Sequence, residues 1–205
     1  MLKIAVFVSG KGSNLLSLID STDKYRNSYR VDVVVSNKVD CSAFEIAEKF
    51  GIKKICVSEA NRNSCSTYNE LSDYLVNNNI DLIVLAGFLK KIPEKFVDKF
   101  ENKIINIHPA LLPSFGGFGM YGMNVHQAVF EKSCKVSGVT VHFVNSDYDK
   151  GIIIAQKAVD ISFACSPREI AELVLKEEHK LLPMVVDRIA RNKIRIANNR
   201  VCLVN

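Results

Sequence analysis

Three features of the sequence predict an α/β fold with an open, doubly wound, mostly parallel sheet and an antiparallel C-terminal extension. Apolar strand-like runs alternate with helix-period segments through the first half of the chain. Those runs are continuously apolar, as strands covered on both faces must be. The second half then closes on strand pairs joined by short polar turns, the pattern of antiparallel neighbours.

The elements follow in order. "KIAVFVS" is a buried strand running into a glycine turn, and "NLLSLIDS" repeats its apolar residues at helical spacing. "VDVVVSN" is a second strand, and "SAFEIAEKFG" an amphipathic helix stopped by Gly51. "KKICVS" is a third strand, "STYNELSDYLVNNN" a helix and "DLIVLAG" a fourth strand. "PEKFVDKF" is a short helix with Pro93 in its first turn, and "KIINIH" is a further strand. "NVHQAVFE" is helical, while "GVTVHFV" and "GIIIAQKAVDI" are strands linked by the turn "NSDYDK". A long helix runs from about Pro167 to Arg191 and should kink or split at Pro183. "IRIANNRVCLVN" closes the chain as a hairpin around Asn198-Asn199. With no repeat or low-complexity linker, residues 1–205 read as one domain.

Composition narrows the function classes. At 48% hydrophobic, 205 residues suffice for a sizeable core. The net charge of +5 is spread without a block of like charge, which argues against a nucleic-acid arm and leaves room for small anionic ligands. No apolar run approaches the roughly 20 residues of a membrane span, and the N-terminus lacks the apolar core of a signal peptide. The six cysteines are scattered without a C-x-x-C pair, which reads as reduced thiols in a cytoplasmic protein and not as a disulfide framework or zinc site.

In doubly wound sheets ligands bind beyond the carboxyl ends of the strands. "SGKGSN" lies at such an end. Gly10 and Gly12 clear side chains from the backbone, Ser13 and Asn14 add donors or cap the helix, and the helix start favours an anion. A dinucleotide fingerprint would need a glycine where Leu15 stands, and an acid where the second strand ends in Ser36-Asn37-Lys38. A P-loop would need its lysine after the second glycine. A phosphomonoester remains, with Lys11 nearby, or else a plain capped turn.

Asn106 and His108 lie two apart at a strand end, so their side chains share a face, and Pro109 holds His108 extended. An amide donor beside a group that titrates near neutrality can stabilise a developing oxyanion. The competing reading is a histidine that merely caps a strand. Asp147 and Asp149 in "NSDYDKG" offer a carboxylate to favour the imidazolium and accept a proton, and spacing alone does not choose between them.

"VSGKGSN", "VLAGFLKKIP", "INIHPALLP" and "GVTVHFVNSDYDKGIIIAQ" together resemble the formyltransferase family, from residue 2 to about residue 190. Within that family, which includes methionyl-tRNA formyltransferases and formyltetrahydrofolate hydrolases, the glycine loop is similar to that of the phosphoribosylglycinamide formyltransferases. The resemblance implies a Rossmann-like formyltransferase fold. It implies 10-formyltetrahydrofolate as co-substrate, phosphoribosyl-glycinamide as acceptor, no tightly bound cofactor and no metal. It places catalysis on Asn106, His108 and Asp149, and substrate binding on Gly12, Ser13, Asn14 and Glu178. Folate binding falls on Leu89, Lys90, Lys91, Ile92, Asn106, Asn145, Ser146, Asp147 and Tyr148. The partners expected are small molecules, with neither nucleic acid nor membrane, for a monomer or weak homodimer.

The sequence departs from the family pattern in two places. "SFGGFGMYGMNVHQAVF" is longer and richer in Gly and Met than the short P-x-x-G loop of many relatives. Some relatives carry a folate-site arginine near Cys65, for which Arg62 is a substitute. His142 within its strand, and His126 and His179 on helices, read as structural residues, and the Phe and Met residues of 115–123 as loop packing. Two other functions fit parts of the pattern: a formyltetrahydrofolate hydrolase using the same trio, and a non-catalytic phosphonucleotide-binding module.

Overall fold

The computed structural model describes residues 1–59 and 64–204. The described residues form a seven-stranded sheet in the order β3-β2-β1-β4-β5-β6-β7 and a two-stranded sheet, β8-β9. The chain divides into two compact units, Met1–Ile105 and Asn106–Asn205.

The first unit contains β1 (Leu2–Val8), α1 (Ser13–Asp20), β2 (Tyr29–Ser36), α2 (Ala43–Lys49) and β3 (Lys53–Cys56). It continues with α3 (Tyr68–Asn77), β4 (Leu82–Leu85), α4 (Glu94–Lys99) and the start of β5 (Ile104–His108). β1 pairs in parallel with β2 and β4, and β2 in parallel with β3. The apolar runs are the core: Ile4 to Val8 and Val33 to Val35 have no solvent exposure. Each such side chain contributes roughly 1.5–3 kcal/mol by leaving water. Local signals set the helix starts. Thr67 accepts the Glu70 N–H while the Glu70 side chain accepts the Thr67 N–H, a complete capping box at α3. Pro93 sits just before the first turn of α4, one position earlier than expected.

β3 is the end strand of the sheet order, only four residues long, and it opens on exposed Lys53 and Lys54. Lys54 pairs with Glu48 of α2. Cys56, at the end of β3, is joined to Cys65 by a disulfide, which corrects the expectation that every thiol is reduced. The cause is a parallel bridge between Val57 and Ser66. Ser66 N–H donates to the Cys56 carbonyl and Ser58 N–H to the Ser66 carbonyl, bringing the two cysteine Cα atoms to 4.6 Å. Cys41, Cys134, Cys165 and Cys202 are free.

The second unit contains the end of β5, α5 (Met123–Glu131), β6 (Val136–Phe143), β7 (Ile153–Asp160), α6 (Pro167–Ala190), β8 (Ile194–Ala197) and β9 (Arg200–Leu203). β6 and β7 are antiparallel, with a register shift between Val141 and His142. Ser166 caps α6 by accepting the Glu169 N–H, and Pro167 begins the helix. Of the kink or split expected at Pro183, the split does not occur: α6 runs through it as one helix. Leu181, Leu182, Val185 and Val186 on either side of it are buried, and that packing holds the helix together across one missing donor. Asn198 and Asn199 take φ of 50° and 56°, the left-handed pair that a two-residue hairpin turn requires.

Candidate active site

In the first unit, Gly12 precedes α1 with φ 76° and no side-chain cap, so the N–H groups of the first turn point outward from the helix start. Ser13 is exposed and Asn14 buried. Gly12 has a packing duty besides. A Cβ there would come within 2.8 Å of the Ala43 Cβ and 3.2 Å of the Ile46 Cδ1, both on α2. Ser9, at the end of β1, ties the strand ends together: its hydroxyl donates to Asn37 Oδ1 at 2.5 Å and accepts the Leu89 N–H at 2.9 Å. That bond fixes the start of the Leu89–Ile92 segment, in which Leu89, Lys90 and Lys91 are exposed and Ile92 is buried. Arg62 lies outside the described residues.

The second unit collects the chemistry. Asn106 and His108 occupy the last turn of the pleat in β5, and His108 is 3% exposed. The segment after it is anchored: Thr140 donates to the Ala110 carbonyl at 2.7 Å and accepts the Leu112 N–H at 3.1 Å. Gln156 of β7 donates to the Leu112 carbonyl at 2.8 Å and to Thr140 Oγ1 at 3.0 Å. His108 Nε2 donates to the Phe115 carbonyl at 2.8 Å, and Nδ1 lies 3.6 Å from Asp149 Oδ2.

Asp149 has φ 55°, an uncommon conformation for a residue with a side chain. Its side chain is 12% exposed, and its Oδ2 accepts the Gly117 N–H at 2.9 Å. Asp147 behaves differently: its side chain is 63% exposed and pairs with Lys150 at 3.5 Å. The turn's side chain-to-backbone bond is made by Asn145, whose Oδ1 accepts the Asp147 N–H.

His142 is part of this cluster, which its position within a strand did not reveal. The register shift in β6 falls at this residue, where a bulge re-aims side chains. Its Nδ1 donates to the Phe143 carbonyl at 2.8 Å, so in the neutral ring Nε2 accepts from Asn106 Nδ2 at 3.2 Å. The same Nε2 is 3.6 Å from Asp149 Oδ1. His126 is 5% exposed on α5, and its Nδ1 has no hydrogen-bond partner among the described residues. Glu178 is buried on α6.

Electrostatics separate the roles. Burial pushes the His108 imidazole down, and this outweighs the Asp149 charge and the Phe115 carbonyl, which both favour the cation. On balance burial keeps the ring neutral, although Asp149 favours the imidazolium. Burial pushes the Asp149 carboxyl up, yet His142, His108 and the Gly117 N–H together hold it below the ordinary value. It is a half-buried, ionised carboxylate between two imidazoles. Burial, with His108 adding to it, pushes His126 down to about 4. Among the described residues, no group of three His, Cys, Asp or Glu side chains could hold a metal ion.

This arrangement can deliver an amide, an imidazole and a carboxylate to one reacting centre. The family model described as formyl transferase matches residues 2–186. The chain belongs to the formyl transferase family. Similar members include the chloroplastic phosphoribosylglycinamide formyltransferase of Arabidopsis thaliana, 43% identical over 98% of this chain and 70% of that protein. The phosphoribosylglycinamide formyltransferase of Haemophilus influenzae is 34% identical over 97% of this chain and 92% of its own length. This formyl transferase chain spans 20% of the human trifunctional purine biosynthetic protein adenosine-3. In three dimensions it is similar to the crystal structure of phosphoribosylglycinamide formyltransferase from Anaplasma phagocytophilum, with TM-score 0.89 at 33% identity, covering 100% of this chain and 95% of that one.

Proposed function

We propose that this chain transfers the formyl group of 10-formyltetrahydrofolate to the amine of phosphoribosyl-glycinamide, giving the N-formyl product and tetrahydrofolate in de novo purine synthesis. The observation that carries the reading is the cluster of half-buried Asn106, buried His108 and half-buried Asp149 in a formyl transferase chain. Likeness to the bacterial enzyme over nearly its whole length supports it.

The amine attacks the formyl carbon, a C–N bond forms, and the carbonyl oxygen becomes an oxyanion. Asn106 and His108 donate to that oxygen. The Phe115 carbonyl holds the His108 Nε2 proton; the formyl oxygen replaces it as acceptor, so the ring loses no bond. The oxyanion adds a second negative charge beside Asp149, and together they favour the imidazolium, whose extra proton comes from solvent and returns to it when the oxyanion collapses. Asp149 supports His108 and relays the proton lost by the amine, through water, to the departing folate nitrogen. The C–N bond to folate then breaks.

Gly12, Ser13 and Asn14 hold the phosphate at the helix start, and Glu178 contacts the substrate. Leu89 to Ile92, Asn106 and Asn145 to Tyr148 line the folate. The folate is a co-substrate, and the protein holds no tightly bound cofactor. Residues 1–205 act as one catalytic domain, a reading supported by a family match that runs across both units. The catalytic trio comes from one chain, as suits a monomer or weak homodimer. A cytoplasmic location is supported by four free thiols, against which stands the Cys56–Cys65 disulfide.

The test is release of tetrahydrofolate from 10-formyltetrahydrofolate with and without phosphoribosyl-glycinamide. Formyl transfer is expected only with both. Turnover without the acceptor would make the chain a hydrolase, and binding without turnover a nucleotide-binding module.

A further inference from the structure

Gly116 and Gly117, just past Phe115, have no part in the reaction proposed above, yet the backbone here touches the catalytic carboxylate. Gly117 N–H donates to Asp149 Oδ2 at 2.9 Å. That bond requires the backbone to lie against Asp149, and Gly116 permits it. A Cβ at Gly116 would stand 2.5 Å from the Leu112 Cδ2, 3.2 Å from the Asp149 Cβ and 3.7 Å from its Oδ2. Leu112 has little room to retreat, being buried and bonded through its N–H and its carbonyl to Thr140 and Gln156. Gly117 itself has φ 99°, which disfavours any side chain. One residue on, the Phe118 and Tyr148 rings meet edge to face at 6.1 Å, a second fastening between the same two segments.

The geometry points to Gly116-Gly117 as a positioning element for Asp149: the Gly117 N–H keeps the carboxylate ionised and aimed between His108 and His142, and Gly116 lets the backbone come close enough to do so. The inference rests on Asp149 being the carboxylate of the proposed reaction. An N–H aimed at one carboxylate oxygen stabilises the charged form only. The titratable groups facing Asp149 are His108 of β5 and His142 of β6. Within its own turn, Lys150 pairs with Asp147 instead.

Two variants test this. Glycolic acid placed at position 117 turns the 116–117 amide into an ester, deleting the N–H while leaving φ free. Gly116→Ala pushes a methyl group against Asp149. For each, the Asp149 carboxyl is titrated by carbon NMR without substrates, its signal assigned by its loss in Asp149→Asn. Formyl transfer is measured beside it.

In both variants the Asp149 midpoint should move up by about one pH unit, the magnitude of a lost charge-assisted bond. The acidic limb of the kcat profile should move up with it, because activity is lost as the carboxylate gains a proton. At neutral pH kcat should fall about tenfold, while KM for phosphoribosyl-glycinamide stays within about twofold. An unmoved midpoint in the ester variant overturns the inference, even if thermal stability or kcat falls. Should Gly116→Ala not fold, the ester variant decides alone. If the unaltered protein makes no formyl product, the reaction proposed above is wrong, and the titration still judges the role of Gly117.

Discussion

At Gly12–Asn14, in the first unit, the chain offers N–H groups at the start of a helix, and Ser13 is open to water. At Asn106, His108 and Asp149, in the second, it offers three side chains, two of them with titrations displaced by burial and by one another. One candidate site is built from backbone conformation, the other from desolvated functional groups. A backbone site tolerates changes of side chain but not an added Cβ. A side-chain site tolerates neither loss of its groups nor loss of the neighbours that set their charge.

The largest effect should come from the second unit. Asp149→Asn keeps the shape but removes the charge between two imidazoles, and kcat should fall about a thousandfold with substrate affinities nearly unchanged, measured in steady state. His108→Ala should cost on the order of a hundredfold or more in kcat, as the loss of an oxyanion donor does. If either variant keeps most of its activity, the side-chain half of the comparison fails.

Stability should show the same division as pH falls. His126 is held neutral by the fold, with its titration pushed down to about 4. The unfolded chain takes up this proton near pH 6.5 and the folded chain does not, so stability present above that pH is lost as pH falls toward 4. The loss from His126 should reach about 3 kcal/mol, seen in urea midpoints, and replacing His126 with Gln should flatten the slope.

Backbone chemistry predicts smaller and separable effects in the first unit. Ser13→Ala should raise KM for the ribonucleotide by a few-fold and leave the melting temperature alone. Gly12→Val should lower stability by about 2–4 kcal/mol, through strain at positive φ and overpacking against Ala43. Gly12→Val therefore reports on packing, and Ser13→Ala on the anion. The smallest effect belongs to Asp147→Asn, which removes an exposed pair with Lys150 and should cost at most a few-fold in kcat.

The sequence carried the sheet well, because runs such as "KIAVFVS" and "VDVVVSN" are apolar without alternation and can only be strands covered on both sides. Asn106 and His108 were legible for a similar reason: the two-residue period of a strand puts them on one face. His142 was not, since a bulge has no signature in "VTVHFV" and only the register with β7 reveals it. Gly116 and Gly117 were visible as a departure in length and composition, but nothing local says that their backbone meets a carboxylate 32 residues later. The pairing of Cys56 with Cys65 depended on the Val57–Ser66 bridge, a nonlocal contact. The balance of charge on His108 depended on burial, which spacing does not measure.

The short β3 strand has a consequence for how molecules of this chain meet one another. A strand at the end of a sheet carries backbone donors and acceptors that a neighbouring molecule could extend, the first step of edge-to-edge aggregation. Here that strand is four residues long and begins with two exposed ammonium groups, one of them held by Glu48. An approaching copy would bring its own Lys53 and Lys54 against these, and like charges would have to be stripped of water before any backbone bond could form. The two lysines thus set a charge barrier at this margin of the sheet, a colloidal consequence of a strand end that lies apart from the candidate site.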